Sequence, residues 1–210
     1  MLTLENARKW YPKYDAVHGF DHIERVYGLC ERIGKVESAD MEILLAAALL
    51  HDASGSHPGK GKRNEHHIHS AAFAKDILEK EGWKQDKIQA VQHCILSHRF
   101  RKESPPETIE AKVLFDADKL DVIGAIGVVR ALAYAFQVKQ PAYALPSDQF
   151  IQTGKTQGGE PHSAYHEYIF KLNKIKGMLF TNTARQLADH RQAYLNTFFE
   201  ELADEIHNVK

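Results

Sequence analysis

The amino-acid sequence predicts an all-α fold in a single domain, and three observations carry that expectation. Apolar residues recur at the helical period of about 3.6 over most of the chain. No segment shows the strict alternation of a half-buried strand. Residues 43–52, ILLAAALLHD, form an alanine-rich apolar block shortly after Asp40, a good N-cap, and so read as a helix buried on all sides. With 210 residues, 43% of them hydrophobic and 26% charged, the chain is long enough for one well-cored domain and short for two.

Taken in order, residues 4–14 are expected to form a short amphipathic helix that ends before a turn at 15–19. A longer helix follows over 20–37, with His22, Val26, Leu29 or Cys30, and Ile33 on its inner stripe. The buried helix occupies 40–53. The pattern then breaks at SGSHPGKGKRNE, a polar stretch without an apolar anchor, placed where a functional lid would sit. Helical patterning resumes over 66–80, with Ala71, Ala74, Ile77 and Leu78 inward, and over 86–98 through Ile88, Val91, Ile95 and Leu96. Pro105 and Pro106 open the next helix, where a missing N–H costs nothing, and it runs from about 107 to 121 around Ile109, Val113, Leu114 and Leu120. Another covers 123–136, with Gly124 and Gly127 permitting close helix contact. Residues 137–161 hold three prolines and the Gly158-Gly159 pair and read as a long irregular excursion. Residues 164–172 and 183–206 are again helical.

Composition removes several function classes. The formal net charge is −1, so no global field draws the chain to nucleic acid or to an anionic membrane. Cys30 and Cys94 are the only cysteines, which indicates neither a disulfide framework nor a thiolate zinc site. No apolar run approaches the roughly 20 residues that span a bilayer. The first fifteen residues lack the apolar core of a signal peptide, so the expected location is the cytoplasm.

What remains is an excess of histidine, thirteen in all, and ligand-type side chains set among apolar neighbours. His22, the adjacent His51 and Asp52, and an aspartate within LFDADKLD lie on three separate predicted helices. Buried imidazole and carboxylate groups are costly unless paired, hydrogen-bonded or bound to a metal. Any one of them alone also fits a core polar residue satisfied by the backbone, but an adjacent His and Asp closing an apolar helix is harder to explain that way. Together they make a mixed N/O donor set suited to Mn²⁺, Fe²⁺, Co²⁺, Ni²⁺ or Zn²⁺. Two histidines and two carboxylates leave coordination positions open, as catalysis requires. Periodicity does not choose among Asp116, Asp118 and Asp121.

The order His22, His51-Asp52, Asp118 resembles the HD-domain metal-dependent phosphohydrolase superfamily. The phrases HGFDHIERV, ALLHDA, ILSHRF and DADKLDVIGAIGVVR are similar to a subgroup of small bacterial and archaeal HD proteins, some of them nucleotide pyrophosphohydrolases. The resemblance covers about 15–130 well and weakens over a C-terminal helical extension at about 162–207. It implies an HD-type helical bundle in which His22, His51, Asp52 and Asp118 hold one divalent ion (Mn, Co, Ni, Fe, Mg or Zn). It selects Asp118 over its neighbours, and it lets Asp52 also contact the nucleophilic water. His18, four residues before His22, is the candidate general acid, with a backbone-bonded turn histidine as the alternative. His66, His67, His69 and His98 offer further contacts. His66 and His98 are taken as substrate-binding, the alternative being that such histidines hold a second ion, as in two-metal relatives.

Many HD phosphohydrolases carry an acidic residue shortly after the HD pair to orient water; HDASGSHPG has none. Among the cations, Lys119 and Arg99 adjoin inferred site residues and are expected to contact phosphate, with Lys62 closing over the substrate from its loop. GKGK is not a P-loop, because no Gly-Lys-Ser/Thr follows. The implied activity is nucleoside triphosphate pyrophosphohydrolysis. Phosphomonoester or phosphodiester hydrolysis on the same site is the nearest alternative, and a non-catalytic nucleotide or metal sensor is another. The expected partner is a phosphorylated small molecule rather than nucleic acid or membrane, with homodimerisation left open.

Overall fold

The computed structural model describes residues 2–12, 19–54, 65–99 and 104–209. Among the described residues there are eleven α-helices and no strand, in agreement with the predicted class. The chain packs as two compact units, one formed by Met1–Asp118 with Leu179–Ala184 and the other by Lys119–Met178 with Arg185–Lys210.

In the first unit α1 (Leu4–Ala7) is capped by the Thr3 hydroxyl and runs into a 3-10 turn, Arg8–Trp10. This is shorter than the helix expected over 4–14, because Tyr11 adopts extended backbone and its ring is drawn into the core. The long helix α2 (Phe20–Val36) buries His22, Ile23, Val26, Leu29, Cys30 and Ile33, so both candidates for the third inner position face inward. Helix α3 (Met41–Leu50) starts where Asp40 predicts. The Asp40 carboxylate accepts from the N–H groups of Glu42 and Ile43, two donors that have no partner within the helix. Leu44, Ala46, Ala47, Ala48, Leu49 and Leu50 are all buried, and α3 packs against α2, α4 (His66–Lys80) and α5 (Gln85–Ser97). It is the central post of the unit. The helix ends at Leu50, so His51 and Asp52 stand on the turn beyond it rather than on a last helical turn.

Helix α6 (Ile109–Leu120) begins two residues later than expected. The Thr108 hydroxyl accepts the Ala111 N–H at 3.2 Å and acts as its cap, which leaves Pro105 and Pro106 outside the helix instead of opening it. Ala111, Val113, Leu114, Phe115, Ala117 and Leu120 are fully buried.

In the second unit α7 (Gly124–Gln137) starts on a glycine at φ 76°, where a Cβ would lie 3.1 Å from the Arg191 side chain of α11 (Asn182–Ile206). The close helix contact expected there is real. Gly127 serves a different approach, lying tight against the Val122 carbonyl. The supposedly irregular stretch 137–161 contains a further helix, α8 (Asp148–Thr153), between a Ser147 cap and a left-handed Gly154. Burial of Phe150 and these two caps stabilise a helix too short to show periodicity. The predicted helix over 164–172 stops at Phe170 as α9 (Ala164–Phe170), and a 3-10 turn, Leu172–Lys174, leads into α10 (Ile175–Met178). Ile126, Val129 and Phe136 stand exposed on α7, whose one charged residue, Arg130, is buried. Among the described residues no single helix is long and apolar enough to cross a membrane.

Candidate metal centre

The turn after α3 is built by the imidazole of His51. Helix C-termini leave carbonyls without intrahelical partners, and His51 uses one: its Nδ1 lies 2.9 Å from the Ala48 oxygen. A carbonyl only accepts, so Nδ1 carries the hydrogen, and in the neutral ring Nε2 is left as a bare lone pair. That Nε2 is buried and makes no hydrogen bond among the described residues. It faces His22 from α2 and Asp118 from α6, and one ligand atom from each of the three residues falls within 4.8 Å of the others. His22 Nε2 is 3.4 Å from Asp118 Oδ1, and the His22 and His51 rings meet edge to face at 5.5 Å. Burial pushes the His51 pKa down, reinforced by His22 and opposed by Asp52 and Asp118. The ring is therefore neutral, the form in which imidazole binds a metal.

Asp52 turns toward a second group. Its Oδ1 is 3.2 Å from His66 Nε2 and 3.8 Å from His98 Nε2, while Oδ2 is 3.9 Å from His51 Nε2. His98 repeats the His51 device at the end of α5: Nδ1 donates to the Ile95 carbonyl at 2.6 Å, which aims Nε2 at Asp52 and at His66 Nε2, 3.4 Å away. Asp52, His66 and His98 thus form a second buried trio with ligand atoms within 4.8 Å. Burial alone would raise the Asp52 carboxyl, but His51, His66 and His98 outweigh it and hold the group well below the usual range. His98 is pushed down to about 3, first by burial and next by His51.

Three neighbouring aspartates, left open by periodicity, are separated by their bonds. Asp116 accepts the Phe180 N–H at 2.9 Å and both the Thr181 N–H and hydroxyl at 2.7 Å. Asp121 accepts from Arg130 Nη1 at 2.7 Å. Asp118 is the one that lies with His22 and His51. The four ligands expected around one ion are thus divided, with Asp52 grouped with His66 and His98 and still within 3.9 Å of His51. His66 and His98, expected as substrate contacts, are buried against Asp52. Arg99, directly after His98, and Lys119, directly after Asp118, are half-buried. His18 and Lys62 lie outside the described residues. The pairing of His66 with His98 had no local signal, because the residues are 32 positions apart on different helices.

The HD domain family matches this sequence over residues 19–123, which contain both groups. The chain belongs to the HD domain family. This HD protein is 31% identical to YpgQ of Bacillus subtilis (strain 168), over 100% of its own length and 96% of that relative. Among solved structures, it resembles Bacillus subtilis YpgQ in complex with ADP, with a TM-score of 0.73 and 29% identity over 99% and 100% of the two chains. A Lactobacillus plantarum protein aligns with a TM-score of 0.76 and 28% identity over 99% of this chain and 100% of that one. A Bacillus thuringiensis protein described as an HD-superfamily hydrolase aligns with a TM-score of 0.70 and 25% identity over 97% and 94%.

The neutral histidines give the metal-free HD protein a defined acid response. An unfolded histidine takes its proton near pH 6.5, whereas folded His98 takes it only near 3. Between those values the unfolded state binds more protons, so stability falls as pH is lowered from about 6.5 toward 3. Chemical denaturation of the metal-free chain at pH 7.5 and at pH 5 is expected to show the lower midpoint at pH 5. In His98→Gln the difference shrinks.

Proposed function

We propose that this HD protein is a divalent-metal-dependent phosphohydrolase acting on nucleotides, with nucleoside triphosphates cleaved to the monophosphate and pyrophosphate. The observation that carries the reading is the convergence of a bare, buried His51 Nε2 with His22 and Asp118, a donor set that fits a divalent ion with positions left open. A bound divalent ion supplies Lewis acidity, acidifying water and polarising a phosphoryl oxygen.

The remaining tasks belong to the chain. Asp52 stays ionised beside that group, an acceptor suited to orient the attacking water, which assigns it the work of the acidic residue missing after the HD pair. Arg99, Lys119 and Lys62 are assigned to the negative charge of the phosphate chain, and His18 to the leaving-group oxygen. The ADP bound to Bacillus subtilis YpgQ supports a nucleotide as the ligand class. The uncharged outer stripe of α7 supports a homodimer, since an identical copy meets it without stranding a charge.

A second reading is favoured by Asp52, His66 and His98: these residues hold a second ion, with Asp52 shared between the two groups. In that case His66 and His98 are ligands rather than substrate contacts.

Incubation of the purified chain with each common nucleoside triphosphate and Mn²⁺, with products resolved by ion-exchange chromatography, tests the main reading. Pyrophosphate and nucleoside monophosphate are expected, with turnover lost on chelation. Inorganic phosphate as the sole released anion would replace it by phosphomonoester chemistry. Absence of turnover with every metal, in a chain that still binds nucleotide, would favour a sensor.

A further inference from the structure

We infer that Tyr11 is a positioning residue for the candidate metal centre, its hydroxyl fixing the turn that carries His51 and Asp52 and its ring fixing the start of the helix that carries His22. The role rests on the metal-dependent reading proposed above.

Tyr11 follows the 3-10 turn Arg8–Trp10 and is 7% exposed. Its hydroxyl donates to the Leu49 carbonyl at 2.7 Å. Leu49 O belongs to the last turn of α3, and its regular donor four residues on, the Ala53 N–H, bonds the Leu50 carbonyl instead at 3.2 Å. Two successive carbonyls at this helix end are therefore bonded by side chains, Ala48 by the His51 ring and Leu49 by Tyr11. The result is a tight turn that projects His51 and Asp52 in defined directions.

The other end of the side chain reaches the neighbouring ligand carrier. The Tyr11 ring packs against Phe20 at 5.4 Å, and Phe20 is the first residue of α2, two before His22. One residue thus touches α2 two positions before its ligand and α3 two positions before its own. A phenylalanine would fill the same space, whereas a buried hydroxyl is tolerated only where it finds an acceptor. Burial, then the Asp52 charge, push the Tyr11 pKa up, so the hydroxyl keeps its hydrogen and remains a donor.

The test uses Tyr11→Phe, which keeps the ring and removes the oxygen. Ile88→Val, a buried α5 change away from the turn, serves as a stability control. Mn²⁺ affinity of the full chain is measured by titration, with thermal melting alongside and kcat and KM for the preferred nucleotide. Outer partners of metal ligands typically contribute about tenfold to hundredfold in metal affinity or activity. Tyr11→Phe is expected to weaken Mn²⁺ binding by about that factor and to lower kcat, with KM little changed. Ile88→Val is expected to lower the melting temperature without moving Mn²⁺ affinity. Equal affinities in Tyr11→Phe and wild type, or parallel losses in both variants, overturn the role. A Tyr11→Phe chain that does not fold also overturns it, since the hydroxyl would then serve the core at large. Wild type that binds no Mn²⁺ overturns the metal centre itself, a result separate from any difference between the variants.

Discussion

Replacing Asp52 by alanine is expected to abolish metal-dependent turnover, with a loss in kcat of at least about a thousandfold, within the range for removing a positioned catalytic side chain. Asp52 is the side chain through which the two groups meet, its Oδ1 3.2 Å from His66 Nε2 and its Oδ2 3.9 Å from His51 Nε2. The variant leaves the imidazoles of His51, His66 and His98 with no carboxylate between them, so its metal content should fall together with its rate. His66→Ala separates the two readings. If one ion is held by His22, His51 and Asp118, this variant still binds one equivalent of Mn²⁺. If Asp52, His66 and His98 hold a second ion, the stoichiometry drops from two to one. Metal per chain by elemental analysis and initial rates at saturating nucleotide read both outcomes. Asp52→Ala with wild-type turnover would remove Asp52 from the chemistry.

Asp121→Ala is expected to produce a large loss of stability. Arg130 Nη1 donates to Asp121 Oδ2 at 2.7 Å and to the Asp121 carbonyl at 3.1 Å, and both side chains are almost wholly buried. Removing the carboxylate takes away the ionic partner that Arg130 Nη1 meets at 2.7 Å in a buried setting. Breaking one side of a buried pair typically costs about 3–5 kcal/mol. For a chain of this size that corresponds to a fall in melting temperature of roughly 6 °C or more. The double variant Asp121→Ala, Arg130→Met should recover most of the loss, because an apolar pair replaces the ions without stranding a charge. A fall of less than about 2 °C in the single variant would mean that water or another group takes over the compensation of Arg130. Asp121 is thus a structural aspartate, although it stands in the same DADKLD phrase as Asp118.

That phrase shows how far the sequence could be read. Helical class, the buried α3 and its Asp40 cap are local matters, set by propensity, periodicity and capping within one segment, and each is found in the structure. His22 and the His51-Asp52 pair were legible for the same reason: polar residues on an otherwise apolar stripe need a partner. The helix at 148–153 was missed because six residues are too few for a period to appear. The aspartates could not be ranked from the chain alone. Their difference lies in Thr181, 65 residues away, and in Arg130, which takes up Asp121 from the next helix.

The sequence was enough to name the kinds of ligand and the helices that bring them, because patterning and turn chemistry act over a few residues. Three features emerged only once those helices packed: the gathering of Asp52 with His66 and His98, the side-chain capping of α3 by His51 and Tyr11, and the sorting of Asp118 from its neighbours. Each depends on contacts between segments distant in the chain, where direction and distance rather than residue type determine which groups meet.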